Sequence, residues 1–225
     1  MNCISVAIDG PSAAGKSTVA RAIAKKYGFV YVDTGAIYRT VGLAVQRAGL
    51  DSHDAAGIRA LLPELKIDIA YNYLDEQVML LNGEDVSREI RTPKSSIYAS
   101  DVSAIPEVRA FLMDMQRSLA ETRDVIMDGR DIGTVVLPDA DVKIFLTASA
   151  EVRARRRCEE LREKGMESSY EDVLRDLRYR DEQDATRAAA PLRQAPDAVL
   201  VDSSDRDFAE TVAVVSQIIY EKTGR

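Results

Sequence analysis

The chain has 225 residues, 46% of them hydrophobic, and a formal net charge of -7. This length suffices for one sizeable core, and the negative charge disfavours general nucleic-acid binding, which relies on a positive field over a whole face. The sequence shows no run of about 18 apolar residues, no secretion signal and too few cysteines for a disulfide framework, so we expect a cytoplasmic protein with reduced thiols and no membrane contact.

A strand, a glycine-rich loop and a helix are predicted first. The strand is the apolar run Ile4 to Asp9, and a helical pattern begins near Lys16 and ends at Gly28. Backbone N–H groups of the intervening loop would surround phosphate oxygens, while the helix directs its positive end at the same charge. The loop residues predicted to bind a nucleoside triphosphate are Gly10, Pro11, Ser12, Ala13, Ala14, Gly15, Lys16, Ser17 and Thr18.

Two side chains of this loop carry the predicted chemistry. Lys16 is placed to reach the β- and γ-phosphates as a point charge, and the Ser17 hydroxyl is placed to bind the Mg²⁺ that bridges them. The alternative is a glycine-containing turn without a ligand, which the flanking strand and helix disfavour.

Four further apolar runs are predicted to be buried strands, and amphipathic helices separate them. These runs are residues 29–32, 125–128, 142–146 and 199–202. Alternating strands and helices indicate an α/β fold with a doubly wound parallel sheet of five strands, whose ligands lie beyond the carboxyl ends of the strands. The last helix is expected to close the core through a stripe of Phe208, Val212, Val215, Ile218 and Ile219.

A small antiparallel sheet is predicted between the second and third of these strands. Residues 66–71 alternate between apolar and polar, and the apolar run 78–81 leads into Asn82-Gly83, a strong tight-turn signal. Helices are expected to begin after it at Thr92-Pro93 and at Pro106.

Residues 149–190 are predicted to form a pair of charged helices that break at Lys164-Gly165. Ser168 and Glu171 match a capping box at the start of the second helix. Ten of the 22 arginines of the chain lie within residues 153–193, and arginine suits two-pronged contacts with phosphate. Because such a hairpin has little to bury on its outer side, we expect a mobile lid, in which some arginines only pair with neighbouring acids.

A second set of polar groups favours a kinase, which must hold an acceptor in line with the γ-phosphate and exclude water. Residues 33–39 offer a helix start with a hydroxyl and an arginine, and residues 128–131 offer an arginine and carboxylates at a strand end. Arg180, Asp184 and Arg187 project from one face of the second lid helix, an arrangement that fits a sugar hydroxyl pair flanked by phosphates. Alternatively, the two arginines pair with Asp184 alone.

Asp33 has two open interpretations, as a helix cap or as a water-mediated contact of Mg²⁺. A GTP switch is disfavoured, because no asparagine is followed by lysine and the segment Asn-Lys-x-Asp that identifies guanine is therefore missing from the sequence. A kinase for a small acceptor is thus the leading interpretation of the residues.

The motifs together resemble bacterial-type cytidylate kinases, which are nucleoside monophosphate kinases of the P-loop NTPase fold. Asp-Gly-Arg-Asp-Ile-Gly-Thr at 128–134 and Gly-Glu-Asp-Val at 83–86 are specific to that family, whereas the phosphate loop is shared widely. Matching segments span most of the chain and include residues 33–39, 89–92 and 180–187.

The resemblance implies reversible transfer of the γ-phosphoryl group of ATP, with Mg²⁺, to CMP or dCMP by a monomeric enzyme without a nucleic-acid partner. It also implies one kinase domain over residues 1–225, with a nucleoside monophosphate-binding insert and a helical lid. The core would comprise residues 1–36, 106–148 and 191–225, the insert residues 37–105, and the lid residues 149–190.

Roles carried over from the family concern both nucleotides. The acceptor would be bound by Thr34, Arg39, Ser100, Arg109, Arg130, Asp131, Arg180, Asp184 and Arg187. Catalysis is assigned to Lys16, Arg130, Arg180 and Arg187, and Arg156 is expected near the donor adenine. Thr34 stands where the family more often has serine, so the hydroxyl is kept and a methyl group is added.

Cytosine recognition is expected from Ser100, Arg109 and Asp131. The Asp131 carboxylate can accept from the 4-amino group, and Arg109 can donate to the ring carbonyl and N3, whereas uracil reverses the polarity at position 4 and N3. CMP is therefore the predicted acceptor in preference to UMP. The alternative for Arg109 is a surface salt bridge with Glu107 or near Asp114.

Two rival functions stay open on the residues alone. One is a kinase for another small acceptor, such as UMP, dTMP or shikimate. The other is a non-catalytic nucleotide-binding regulator whose arginine-rich hairpin contacts RNA or a protein partner.

Overall fold

A computed structural model describes residues 3–163 and 165–225 of the chain. The strands are β1 (Ser5–Asp9), β2 (Val30–Asp33), β3 (Ile67–Tyr71), β4 (Gln77–Leu81), β5 (Glu84–Asp85), β6 (Val125–Gly129), β7 (Val142–Thr147) and β8 (Val199–Asp202). The helices are α1 (Lys16–Tyr27), α2 (Thr34–Arg47), α3 (Ala55–Leu61), α4 (Pro93–Ser103), α5 (Pro106–Thr122), α6 (Ala150–Glu163), α7 (Tyr170–Thr186) and α8 (Phe208–Thr223). Short 3₁₀ and π-helical turns occupy Leu62–Glu64 and Ile132–Val136.

Five strands form a parallel sheet in the order β2-β6-β1-β7-β8. This arrangement confirms the predicted α/β fold with its doubly wound parallel sheet. Because the carboxyl ends of parallel strands meet at one edge, the loops after β1, β2 and β6 lie side by side. All three loops carry residues that the sequence singles out.

Two apolar clusters cover the two faces of this sheet. Successive side chains of a strand point to opposite faces, so Val6 and Ile8 pack with α1 and α8, whereas Ala7 packs with α2, α4 and α5. All three residues are fully buried. The sheet is therefore a rigid support for the loops at its carboxyl edge.

A second, antiparallel sheet has the order β3-β4-β5, as the alternation predicts. Asn82 and Gly83 turn the chain between β4 and β5 with φ angles of 51° and 86°. Positive φ at both positions is what a two-residue hairpin turn of type I′ requires, and asparagine and glycine tolerate it best.

The hairpin α6–α7 confirms the predicted pair of charged helices. Its helices share a small apolar cluster of Ala154, Leu161, Val173 and Leu177. Gly165 follows α6 with φ of 71° and donates its backbone N–H to Arg162, which agrees with a break at this point. Lys164, the other residue of the predicted break, lies outside the described residues.

Two local predictions are wrong. Ser169 and not Ser168 caps α7, because the Ser169 side chain accepts from the Asp172 N–H and the predicted Ser168–Glu171 capping box is displaced by one residue. Phe208 does not join the buried stripe of α8 and is 53% exposed, since it lies in the first turn beside the Asp207 cap. Val215 and Ile219 of the same helix are fully buried as predicted.

Candidate active site

A cleft of about 620 Å³ lies at the carboxyl edge of the parallel sheet, between residues of the insert and of the hairpin α6–α7. Most of the predicted site residues line it: Ser12, Ala13, Ala14, Gly15, Lys16, Ser17, Thr18, Asp33, Thr34, Arg39, Ser100, Arg130, Asp131, Arg156, Arg180, Asp184 and Arg187. Gly10, Pro11 and Arg109 are outside this lining. Arginines from α2, from the loop after β6 and from the end of α7 thus converge opposite the glycine-rich loop.

The glycine-rich loop begins at Gly10, where no side chain fits. A Cβ atom there would come within 1.9 Å of the Leu146 carbonyl oxygen, and its φ of 150° also disfavours other residues. The loop then enters α1 through Gly15, whose φ is 88°. These turns direct the N-terminus of α1 into the cleft.

Lys16 is buried inside this loop, and its ammonium group donates a hydrogen bond of 2.7 Å to the Pro11 carbonyl. Burial, together with repulsion from Arg130, lowers the pKa of Lys16 from 10.5 to about 7. An anion that enters the loop would favour the charged form. Without such an anion, the Pro11 carbonyl is the hydrogen-bond partner of the lysine.

Ser17, at the start of α1, donates a hydrogen bond of 2.9 Å to Asp128 Oδ2. Tyr31 donates to the other oxygen of Asp128 at 2.8 Å. Burial and the nearby Asp33 carboxylate raise the pKa of Asp128. Asp128 faces Asp33 directly across β6 and β2, so two carboxylates and one hydroxyl meet beside the phosphate loop.

Asp128 is a site residue that sequence reasoning missed. The sequence motif at 128–134 contains this carboxylate but predicts no separate role for it. Its position at the end of a buried strand, next in the sheet to β1, was the available signal.

Asp33 both caps a helix and holds an arginine. Its side chain accepts a 2.8 Å hydrogen bond from the Ala36 N–H at the start of α2 and one of 2.9 Å from Arg39. Burial opposes its ionisation, but Arg39 and the Ala36 N–H outweigh burial and lower the pKa of Asp33. The capping role is thus present, and contact with Mg²⁺ stays a prediction.

Thr34 donates its hydroxyl hydrogen to the Asp128 carbonyl at 2.7 Å. This bond ties the start of α2 to the end of β6. A lone pair of the same oxygen stays available to accept from another donor.

Asp131 lies between two arginines. It accepts from Arg109 through one oxygen and from Arg187 through the other, at 3.2 Å in the second case. Arg109 is buried, with the Tyr38 ring against its guanidinium, so the predicted alternative of a surface salt bridge with Glu107 or near Asp114 is wrong. Glu107 pairs with Arg59 instead.

Asp184 pairs with Arg130, whose Nε donates to it at 2.6 Å. A second nitrogen of Arg130 donates to the Ser12 hydroxyl, also at 2.6 Å. The alternative in which Arg180 and Arg187 pair with Asp184 alone is wrong for Arg187, whose guanidinium donates to Asp131. Burial and the neighbouring Arg130 lower the pKa of Arg180 to about 10.

Four buried polar atoms of the predicted site have no hydrogen-bond partner among the described residues: Arg39 Nε, Ser100 Oγ, Arg109 Nη1 and Arg180 Nε. Buried donors and acceptors are nearly always paired in folded proteins. Their grouping around one cleft fits a polar ligand with several acceptor atoms.

Arg153 of α6 is a second residue that sequence reasoning did not single out. It is buried, donates to the Ser12 carbonyl at 3.1 Å and pairs with Asp181 of α7 at 2.7 Å. Both helices of the hairpin α6–α7 are thereby connected to the phosphate loop. Ser12 and Asp181 are 141 and 28 residues away from Arg153 in sequence, so local spacing gives no signal for these two contacts.

Arg156 also lines the cleft, and its guanidinium donates to the Ser203 carbonyl at 2.6 Å. A further nitrogen donates to the Ser203 hydroxyl at 3.0 Å. These bonds connect α6 to the loop after β8.

Asp9 links the two sides of the site. Its oxygens accept from the backbone N–H groups of Ile132 and Gly133 at 2.7 and 2.8 Å, at the start of the π-helical turn that follows Asp131. Burial raises the pKa of Asp9 to about 6 against the effect of these two hydrogen bonds. The residue that precedes the phosphate loop thus fixes the segment that carries Asp131.

Across residues 3–163 and 165–225, no group of three or more histidine, cysteine, aspartate or glutamate side chains is arranged to hold a metal ion. Within the same residues, none of the helices has the length and apolar character needed to cross a membrane.

Comparison with known proteins shows which family the chain resembles. The family model described as cytidylate kinase matches residues 6–221. The chain is 48% identical over 224 residues to a cytidylate kinase of Caldicellulosiruptor saccharolyticus, covering 100% of this chain and 99% of that protein. It is 52% identical over 218 residues to a cytidylate kinase of Carboxydothermus hydrogenoformans, covering 96% and 97%.

One solved structure, of an uncharacterized protein from Eubacterium ventriosum ATCC 27560, is similar with a TM-score of 0.50 and 13% sequence identity. The similarity covers 96% of this chain and 98% of that chain. At this identity the likeness concerns the fold alone.

Proposed function

This chain belongs to the cytidylate kinase family, and on that premise we propose that the cleft holds both substrates of the reaction. The reaction is the reversible transfer of the ATP γ-phosphoryl group to CMP or dCMP, which gives ADP and CDP or dCDP. The observation that carries the proposal is the convergence of Arg39, Arg130 and Arg187 on one cleft opposite the phosphate loop. Three cations from separate segments suit the phosphates of two nucleotides.

ATP is the donor, and we assign its phosphates to residues 10–18. Backbone N–H groups of the loop and the N-terminus of α1 would donate to the β- and γ-phosphates. Lys16 would exchange its hydrogen bond to the Pro11 carbonyl for contacts with the phosphates. The negative charge of the phosphates would raise the pKa of Lys16, which burial lowers. Arg156, at the base of the lid, is assigned to the side of the donor adenine.

The acceptor phosphate is assigned to Thr34, Arg39, Arg130 and Arg187. The unpartnered Nε of Arg39 supports this assignment, since the other end of the guanidinium is already fixed by Asp33. Arg180 and Asp184 are assigned to the ribose and the phosphates. The two substrates would then meet beside Arg130, which already bridges Ser12 and Asp184.

Cytosine is assigned to Ser100, Arg109 and Asp131. Ser100 Oγ and Arg109 Nη1 are buried and have no hydrogen-bond partner among the residues that the structure describes. Asp131 accepts from two arginines, and its oxygens have further lone pairs that could accept from the 4-amino group. Uracil presents an acceptor at that position and would face the carboxylate unfavourably.

Catalysis in this proposal is alignment and charge stabilisation. The acceptor phosphate is ionised near neutral pH, so the transfer does not require a strong general base. Lys16, Arg130, Arg180 and Arg187 would stabilise charge that spreads over the transferred group. Closure of α6–α7 over the cleft would exclude water and prevent wasteful hydrolysis of ATP.

The residues beside the phosphate loop fit Mg²⁺. Ser17 and Asp128 present a hydroxyl and a carboxylate at hydrogen-bond distance, and Asp33 adds a second carboxylate across the sheet. Oxygen ligands are those that Mg²⁺ prefers, and it keeps several waters beside substrate phosphates. When bound, the ion would neutralise charge between the β- and γ-phosphates.

We also propose that the enzyme is a cytoplasmic monomer. One copy of the chain supplies both the phosphate loop and the residues assigned to the acceptor, so the proposed site needs no second copy to complete it. Both cysteines, Cys3 and Cys158, are free thiols, which fits a reducing compartment. Light scattering of the purified protein tests whether it is a monomer. Cell fractionation tests whether it is cytoplasmic.

An ADP-release assay with a panel of acceptors tests the assignment. CMP and dCMP should support ATP turnover with kcat/KM well above that for UMP, dTMP or shikimate. Turnover that is largest with another acceptor would contradict the proposed pocket. RNA binding without turnover would instead support the nucleotide-binding regulator.

A further inference from the structure

The antiparallel insert is fastened to the edge of the parallel sheet by side chains. Strand β2 is the last strand on its side of the sheet, and within the described residues its outer backbone groups have no strand beside them. Gln77 of β4 reaches this edge at Asp33, and Tyr71 of β3 reaches it at Tyr31. Tyr71 and Gln77 are directly opposite each other in the insert sheet.

Gln77 satisfies both backbone groups of Asp33. Its Oε1 accepts from the Asp33 N–H at 2.7 Å, and its Nε2 donates to the Asp33 carbonyl at 3.3 Å. A carboxamide is the side chain that offers one acceptor and donors on the same planar group. It therefore reproduces the pairing of an adjacent strand at this single residue.

The fixed residue is the one that organises the acceptor side of the cleft. Asp33 caps α2 through the Ala36 N–H and holds Arg39 at 2.9 Å. A shift of its peptide would move the cap and the carboxylate together. Misplacement of a substrate-binding group by about 1 Å can lower the rate by as much as a hundredfold. A hydrogen bond that fixes the backbone of Asp33 is therefore expected to affect catalysis.

We propose that Gln77 is a positioning residue of the kinase, which sets the orientation of Asp33 and thereby of Arg39 at the acceptor phosphate. The insert then has a second role besides surrounding the acceptor. Its β3–β4 hairpin fixes Asp33 at the end of β2 and thereby one side of the cleft. This proposal rests on the role assigned to Arg39 in the proposed function.

Gln77→Met and Gln77→Glu test the proposal in steady-state kinetics. Methionine keeps the length and loses both hydrogen bonds, so kcat/KM for CMP should fall by about tenfold while KM for ATP stays within about twofold. Glutamate still accepts from the Asp33 N–H but faces its carbonyl with a charge, so its loss should be larger. A value of kcat/KM for CMP within twofold of the wild type in both variants overturns the proposal.

Tyr71→Phe is the matched control. It removes the 3.1 Å bond to the Tyr31 carbonyl and leaves Asp33 untouched, so it weakens docking of the insert without reaching the proposed target. Its kcat/KM for CMP should stay within about twofold of the wild type. An equal loss in Tyr71→Phe and Gln77→Met would show that docking in general, and not Asp33, is responsible.

A double-mutant cycle separates positioning from a structural effect. In an Asp33→Asn background, where the ion pair to Arg39 is already broken, Gln77→Met should add less than twofold. A full tenfold loss in that background would mean that Gln77 does not act through Asp33. If Arg39→Met leaves KM for CMP unchanged, the proposed acceptor site fails; if that variant is impaired and Gln77→Met is not, only the present proposal fails.

Discussion

Arg187, at the end of the lid, donates a 3.2 Å hydrogen bond to Asp131 in the loop after β6. The other oxygen of Asp131 accepts from Arg109, so one carboxylate joins the lid to the proposed base pocket. Binding of cytosine at Asp131 would alter a contact of the lid. Recognition of the base and closure of the lid are thus expected to depend on each other.

Asp131→Asn should weaken the preference for CMP over UMP. The amide offers a donor as well as an acceptor, so it no longer opposes uracil, and the ratio of kcat/KM values should fall by the equivalent of roughly 1 to 3 kcal/mol. The substitution also leaves Arg109 and Arg187 without their shared anion, and the melting temperature should drop. An unchanged ratio of specificity constants would remove Asp131 from base recognition.

Lys16→Met should abolish most of the transfer rate. Removal of one preorganised donor from the transition state costs on the order of 3 kcal/mol, or about a hundredfold in kcat. Lys25→Met, an exposed lysine later on the same helix, is the control and should leave kcat unaltered. Turnover of CMP by Lys16→Met within tenfold of the wild type would contradict the role.

The pH dependence of stability provides an independent test of Lys16. Its pKa falls from 10.5 in the unfolded chain to about 7 in the folded enzyme, so the unfolded state binds more protons across this interval. The free energy of unfolding therefore increases as the pH rises from about 7 to 10.5. Below about pH 7 the lysine is charged in both states, and its burial destabilises the fold by the full amount.

In Lys16→Met this contribution is lost. Relative to the wild type, the melting temperature of the variant should be highest below about pH 7, and this advantage should shrink as the pH approaches 10. Thermal unfolding in the absence of nucleotides measures it. A difference that is independent of pH would show that the lysine is not held as described.

Asp128→Asn should raise the Mg²⁺ concentration needed for half-maximal activity. The substitution removes a carboxylate beside Ser17 while keeping the volume of the side chain. Asp139→Asn, at an exposed position in the following loop, is the matched control. Titration of activity with Mg²⁺ at saturating ATP measures the shift, and equal curves for the two variants would exclude Asp128 from the metal site.

Arg153→Lys should loosen the lid. A lysine ammonium cannot reproduce the bonds that the guanidinium makes to Ala148, Ser12 and Asp181 at once. We expect KM for ATP to rise several-fold and the hydrolysis of ATP without an acceptor to increase. Arg178→Lys, whose exposed side chain pairs with Glu151, should leave both values near those of the wild type.

Local patterns allowed the phosphate loop, the Asn82-Gly83 turn and the alternation of strands and helices to be predicted. In each case neighbouring residues determine the backbone, as the positive φ angles of Asn82 and Gly83 illustrate. The cap of α7 shows the limit of this approach. Ser168 and Ser169 both have an acidic residue three positions later, and tertiary packing selects Ser169.

Partners that are distant in sequence were not predictable in the same way. Arg153, Asp128 and Gln77 acquire their roles from residues that only the folded sheet brings to them. The arginines could be grouped by their position at strand ends and on one helix face. Which carboxylate each of them meets depends on how the lid rests over the sheet, as the bond between Arg130 and Asp184 shows.

Asp9 constrains any attempt to redesign the choice of acceptor. Asp9 is the last residue of β1, the strand that leads into the proposed ATP loop. Its two hydrogen bonds to the N–H groups of Ile132 and Gly133 also fix the segment beside the proposed base pocket. Libraries that randomise residues 131–134 to accept a new base would disturb the donor loop unless the backbone amides at 132 and 133 stay in place. Substitutions on α4, whose Ser100 lines the cleft and takes no part in these bonds, offer a safer route to altered specificity.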